Sequence, residues 1–197
     1  MPESCGPPAS QRYDALMLKL VVRTMAVALV GAGSLGAPSQ SLAPFIASPQ
    51  DVVERMLSLA EVTRQDVVYD LGCGDGRIPI TAARKYGAHG VGLDIDPRLI
   101  AEARANAVAA GVDSLVDFRV ENVLTADVSA ATVVTLYLLS SSNERLRPML
   151  MRQLKPGARI VSHAFSMGRD MPADKTDQFV RPNGDEVTLY LWRIRQR

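Results

Sequence analysis

Asp70, Gly72, Gly74 and Gly76 stand at alternate positions in the run Tyr69-Asp-Leu-Gly-Cys-Gly-Asp-Gly-Arg77, just after the apolar Val67 and Val68. Glycines at that spacing let a chain turn sharply and let another molecule approach the backbone. The apolar residues before them suit a buried parallel strand. A strand, a glycine turn and the start of a helix are therefore expected, with one carboxylate at the turn to face a cation and loop N–H groups to face an anion. The pattern is Gly-x-Gly-x-Gly, so the third glycine comes one residue earlier than in a dinucleotide turn. An ordinary tight turn is the alternative for a glycine triplet taken alone.

This spacing, with an acidic residue ahead of it, resembles motif I of the seven-strand S-adenosylmethionine-dependent methyltransferases. The resemblance implies a ligand with an ammonium, a carboxylate, a sulfonium and a nucleoside, held by Asp70, Gly72, Cys73, Gly74, Asp75 and Gly76. The next segment agrees. Gly90-Val-Gly-Leu-Asp94 reads as a second strand ending in an acid, which places Asp94 at the carboxyl ends of adjacent parallel strands, where open α/β sheets bind ligands. Asp94 can accept both ribose hydroxyls and Ile95 offers an apolar surface to the adenine. Asp96, ahead of Pro97, is the better helix cap.

Elements that position these residues follow from the patterning. Ser48-Pro49-Gln50-Asp51 reads as a helix start with a hydroxyl cap and proline at the first helical position. Helices are expected over 77–86, 97–110 and 143–154, and strands over 116–120, 132–138 and 158–162. Phe179-Val180 and residues 187–192 flank Pro182-Asn183-Gly184-Asp185, a hairpin signal. The fold class expected is α/β: a Rossmann-like, doubly wound seven-stranded sheet with an antiparallel C-terminal hairpin. Asn122, just past the 116–120 strand, is either the adenine contact that the methyltransferase pattern implies or a plain turn asparagine.

Composition limits the alternatives. Basic and acidic residues number 22 and 21, so no surplus of positive charge exists to neutralise phosphates, and no nucleic-acid partner is expected. Two cysteines, Cys5 and Cys73, and two histidines, His89 and His163, make neither a zinc site nor a disulfide framework. Residues 1–43 are read as a separate segment from the methyltransferase domain, 44–197. In it, Lys19 and Arg23 precede an apolar run and the small residues 37–43, the order of a secretory signal or membrane anchor. Export or membrane anchoring is expected, with a cytoplasmic chain as the alternative. The run 27–36 also matches Gly-x-Gly-x-x-Gly, but Pro38, Ser39, Ser41 and Pro44 follow it instead of a helix.

From about Pro44 to Ile194 the chain resembles one branch of the superfamily: the protein-lysine methyltransferases that act on ATP synthase subunit c and the adenine nucleotide translocase, with their archaeal relatives. The resemblance rests on 44–49 and 52–57, on the glycine turn, on 132–139 with Asn143, Leu146 and Pro148, and on Lys155-Pro-Gly157 and Val161-Ser-His163. It places Ser48 with the cofactor residues. Phe45, Ala47 and Ser48 replace the tyrosine, inner proline and threonine usual in the branch, and Ala164 stands where an acid is often found. The resemblance implies S-adenosyl-L-methionine as cofactor and a membrane-associated protein substrate with an accessible lysine. Tyr137, Asn143 and His163 are the candidate acceptor-pocket residues, Tyr137 being alternatively core and His163 alternatively a structural histidine. Methylation of a small molecule or lipid, and a non-catalytic cofactor-binding protein, are the competing readings.

Overall fold

The computed structural model describes residues 46–196. The 1–43 segment, Cys5, Pro44 and Phe45 lie outside those residues. In chain order the elements are α1 (Gln50–Leu59), β1 (Val67–Leu71), α2 (Arg77–Tyr86), β2 (His89–Asp94), α3 (Pro97–Ala109), β3 (Val116–Val120), β4 (Val133–Leu136), α4 (Ser140–Gln153), β5 (Arg159–His163), β6 (Lys175–Val180) and β7 (Glu186–Arg193). The strands form one sheet in the order β3-β2-β1-β4-β5-β7-β6. The first five are parallel, and β7 runs antiparallel to both β5 and β6. This is the expected doubly wound α/β architecture.

Alternation along each strand sends side chains to opposite faces. Val68, Val133, Val161 and Leu189 pack with α1 and α2 on one face. Leu71, Leu93, Leu136 and Ile160 pack with Leu146 and Leu150 of α4 on the other. A third cluster joins Cys73 to Ile80 of α2, to Ile100 and Ala103 of α3, and to Phe118 of β3. At the start of the sheet, Asp66 is ion-paired with Arg159 and accepts from Thr132 Oγ1 at 2.7 Å, tying β1, β4 and β5 together. Burial raises the Asp66 pKa, but the Thr132 and Thr63 hydrogen bonds and the Arg159 charge outweigh it, and the net shift is downward.

Several element ends differ from expectation, three of them beside the carboxyl ends of the central strands. Ser48 does not cap α1: the cap position is Pro49, without a side-chain cap hydrogen bond, because the Ser48 hydroxyl is drawn to His163 instead. Strand β4 stops at Leu136, two residues early. Helix α4 starts at Ser140 rather than Asn143, its first turn closed by Ser142 and Asn143 N–H donating to Leu139 O at 2.9 and 3.0 Å. By contrast, Asp96 caps α3 as expected, accepting from Arg98 N at 2.8 Å.

Gly76 (φ +79°) leads the chain out of the turn into α2, and a Cβ there would lie 2.6 Å from the Phe118 ring and 2.8 Å from Ala103. Gly111 has a similar φ of +67° but open space around it. Gly76→Ala should therefore lose about 2–4 kcal/mol, combining left-handed strain with overpacking, whereas Gly111→Ala should lose about 1–2 kcal/mol. Chemical denaturation of both variants checks this; equal losses would show that the Phe118 contact is unimportant.

Candidate active site

Asp70 shares the β1 face of Val68 but lies at the carboxyl end of the strand, and it is 3% exposed. Its Oδ1 accepts from Thr135 Oγ1 at 2.7 Å, the residue level with it on β4. Burial raises its pKa to about 7; the Thr135 hydrogen bond opposes the rise, and the Asp94 and Asp75 charges add to it. A carboxylate kept this dry is suited to receiving a cation.

The glycine turn winds over Asp70 with Gly72, Gly74 and Gly76 all at positive φ, and Gly72 is the exposed member. Its N–H groups are less available to a ligand than the sequence led us to expect. Gly72 N and Cys73 N both donate to Leu93 O at 2.8 and 3.0 Å, Gly76 N donates to Cys73 O at 3.0 Å, and Gly74 N donates to Asp94 Oδ2 at 3.0 Å. The turn thus contributes its shape and close approach more than its donors. Cys73 is buried within it, and burial pushes its thiol pKa up, so it is not a nucleophile.

Asp94 accepts a second backbone bond, from Asp96 N to Oδ1 at 3.0 Å. Two backbone donors fix the carboxylate and leave a lone pair on each oxygen, the arrangement needed to receive two neighbouring hydroxyls. Ile95 beside it is half-buried. Asp75 is held by Arg77, whose Nε lies 2.9 and 3.1 Å from its two oxygens. Asn122 is exposed and its Oδ1 accepts from Leu124 N at 3.0 Å, so the turn role is the one visible here.

Across the carboxyl ends of β4 and β5, Tyr137 stacks on His163 with ring centroids 4.0 Å apart and on Phe165 at 6.2 Å. Burial, together with the nearby Arg181 charge, lowers the His163 pKa to about 4, so its imidazole is neutral at pH 7. Its Nδ1 lies 3.0 Å from Ser48 Oγ. Ala164 follows in a left-handed conformation (φ +64°), in a tight turn closed by Phe165 N donating to His163 O at 2.8 Å. Such a turn costs a non-glycine residue about 1–2 kcal/mol. Asn143 holds it in place. This side chain is fully buried, and its Nδ2 donates to Ser162 Oγ, Phe165 O and Ser166 O at 3.2, 3.1 and 3.3 Å.

The structure therefore brings Asp70, the glycine turn, Asp94 and Ile95 together, and separately gathers Tyr137, His163 and Asn143. Thr135, Arg77 and Phe165 were not singled out from the sequence. Thr135 was accessible through register, since a polar residue level with Asp70 on the next strand is its natural donor. Among the described residues, no group of three or more His, Cys, Asp or Glu side chains is placed to hold a metal ion.

A family model for the ANTKMT methyltransferase domain matches residues 70–174, more than half of the chain. The chain belongs to this family. It is 47% identical over 152 residues to a protein-lysine N-methyltransferase of Saccharolobus islandicus (strain REY15A), covering 77% of this chain and 93% of that protein. Over 149 residues it is 30% identical to the adenine nucleotide translocase lysine N-methyltransferase of Mus musculus, covering 75% of this chain and 64% of the mouse protein. Among solved structures, an RNA methyltransferase from Salinibacter ruber in complex with S-adenosyl-L-homocysteine superposes with a TM-score of 0.71 at 54% identity, covering 77% of this chain and 95% of that one. The family's cofactor, S-adenosyl-L-methionine, suits the residues present: its ammonium is the cation that buried Asp70 lacks, and its ribose hydroxyls suit the two free lone pairs of Asp94.

Asp70 in the native state holds its proton up to about pH 7, far above the ordinary carboxylate value of 3.8. The native state thus binds more protons than the unfolded state between those values, and the stability contributed by this group is full below pH ~4 and lost as the pH rises through about 7. Asp70→Asn should match the parent protein near pH 4 and exceed it by up to roughly 4 kcal/mol at pH 8, while losing cofactor affinity. Denaturant titrations at the two pH values check this; a variant less stable at pH 8 would contradict it.

Proposed function

We propose that this methyltransferase transfers the methyl group to the Nε of a lysine in a protein. The observation that carries the reading is the 47% identity to a protein-lysine N-methyltransferase along 93% of that protein's length. The stacked rings of Tyr137, His163 and Phe165 suit such an acceptor, because an aromatic wall attracts an ammonium and packs on the aliphatic stem.

A lysine ammonium must lose a proton before its lone pair can attack, which costs roughly 4–5 kcal/mol at pH 7 from a pKa near 10.4. Withdrawal from water against apolar rings lowers that cost, and because His163, with its pKa lowered to about 4, is too weak a base to take the proton, the proton goes to solvent. When bound, the cofactor supplies a methyl on a positively charged sulfur. The remaining work of this chain is to hold the amine collinear with that methyl and to exclude water.

The 54% identity to an RNA methyltransferase favours a second acceptor class. The near balance of 22 basic and 21 acidic residues is against it, since RNA binding rests on a surplus of positive charge. We further propose that residues 1–43 carry a membrane-attachment or export signal, on the basic-then-apolar order around Lys19 and Arg23. Among the described residues no helix is long and apolar enough to cross a membrane.

Incubation with methyl-labelled cofactor and separated protein, RNA and lipid fractions tests the acceptor. Label should enter protein and be recovered as methyllysine after hydrolysis; label confined to RNA or lipid would overturn the reading. Membrane and soluble fractions of the producing cell, probed for the full chain, test the attachment.

A further inference from the structure

The two halves of the site are joined by a chain of contacts. Arg77 begins α2 immediately after the glycine turn, and its guanidinium grips Asp75 within that turn. From the same guanidinium, Nη1 donates to the carbonyl of Ser48 at 2.8 Å. The Ser48 hydroxyl lies 3.0 Å from His163 Nδ1, at a sequence separation of 115 residues. His163 lies flat on Tyr137, with 25° between the rings. Ser48 is only 3% exposed and His163 only 6%. Both polar groups have thus been taken out of water for this one bond, which is costly unless the bond is kept.

Ser48 is also well anchored from behind. Asp51, three residues later, takes Arg181 of the β6–β7 connection at 2.8 and 3.1 Å, and Arg55 takes Asp177 of β6 at 2.6 and 2.8 Å. The segment carrying Ser48 is therefore fixed to the β6–β7 hairpin through α1, and its backbone carbonyl and hydroxyl reach the glycine turn and the β5 terminus respectively. A displacement of the turn can pass through Arg77 to Ser48 and rotate or slide the His163 ring on Tyr137.

Building on the methyltransferase reading, we propose that Ser48 is a positioning residue that transmits occupancy of the methyl-donor site, through Asp75 and Arg77, to the His163–Tyr137 wall of the acceptor site. This assigns Ser48 a role other than direct cofactor contact. Coupling of this kind is reciprocal and typically amounts to a 5–150-fold effect on affinity.

The chain has two histidines, His89 and His163, and exposed His89 serves as an internal reference. With ¹⁵N-histidine-labelled full-length protein, addition of S-adenosyl-L-homocysteine should shift the His163 imidazole resonances and leave those of His89 unmoved. This arm needs no acceptor, so it stands or falls separately from the lysine assignment. In Ser48→Ala the His163 response should disappear while calorimetric affinity for S-adenosyl-L-homocysteine changes less than about 3-fold. The turnover number should fall at least about 10-fold, with little change in KM for the donor. Ser48→Thr, which keeps the hydroxyl, should restore both. An unmoved His163 in the parent protein, an undiminished response in Ser48→Ala, or a large loss of S-adenosyl-L-homocysteine affinity in that variant would each overturn the proposal.

Discussion

A carboxylate buried at the end of a central strand is the constraint around which this domain is arranged. Asp70 occupies a position on β1 where Val68, two residues earlier, is wholly core, and among the described residues its side-chain donor is Thr135. The sheet supplies little else to offset its burial, and the Asp94 and Asp75 charges make ionisation harder still. A buried acid with too few partners is a stability cost that a fold keeps only for a purpose. A ligand cation would supply the missing partner, and the glycine turn leaves room for such a ligand to approach, with Gly72 exposed directly past the strand.

The surrounding structure supports that turn from the side of β2, β3 and α3. Leu93 O receives two of its N–H groups, Asp94 receives a third, and Phe118 with Ala103 leaves no room for a side chain at Gly76. Strand β2 is thereby made part of the turn's support, and α3 and β3 form the floor. On the acceptor side the same logic recurs with different parts. The strained Ala164 turn persists because Asn143, Thr188 and the aromatic stack over-determine it.

Much of this was legible in the sequence, for identifiable reasons. The bounds of β1, α2 and β3 follow from local patterning that nothing distant overrides: an apolar run, a glycine turn, and an alternating Val-Asp-Phe-Arg-Val. Asp70 and Asp94 were readable because an acid at the carboxyl end of a buried strand stands out against its neighbours. Ser48 was misread as a cap because its true partner lies 115 residues away, and local chemistry carries no trace of it. Thr135 and Arg77 escaped notice for the same reason, their roles depending on strand register and on a turn brought alongside another segment. The expected loop donors were half right. Glycine spacing announces a close approach, but it does not reveal that Leu93 and Asp94 have already taken the N–H groups.

On this reading Asp70 is protonated in the free protein near neutral pH and would ionise as the cofactor's ammonium arrives. Calorimetric titration with S-adenosyl-L-homocysteine, which carries the same amino-acid end, in two buffers of different ionisation enthalpy measures that proton directly. With an Asp70 pKa of about 7, binding at pH 6 should release about one proton, falling toward none at pH 8. Binding at pH 6 with no proton released would show that Asp70 is already ionised in the free protein or does not meet the ammonium.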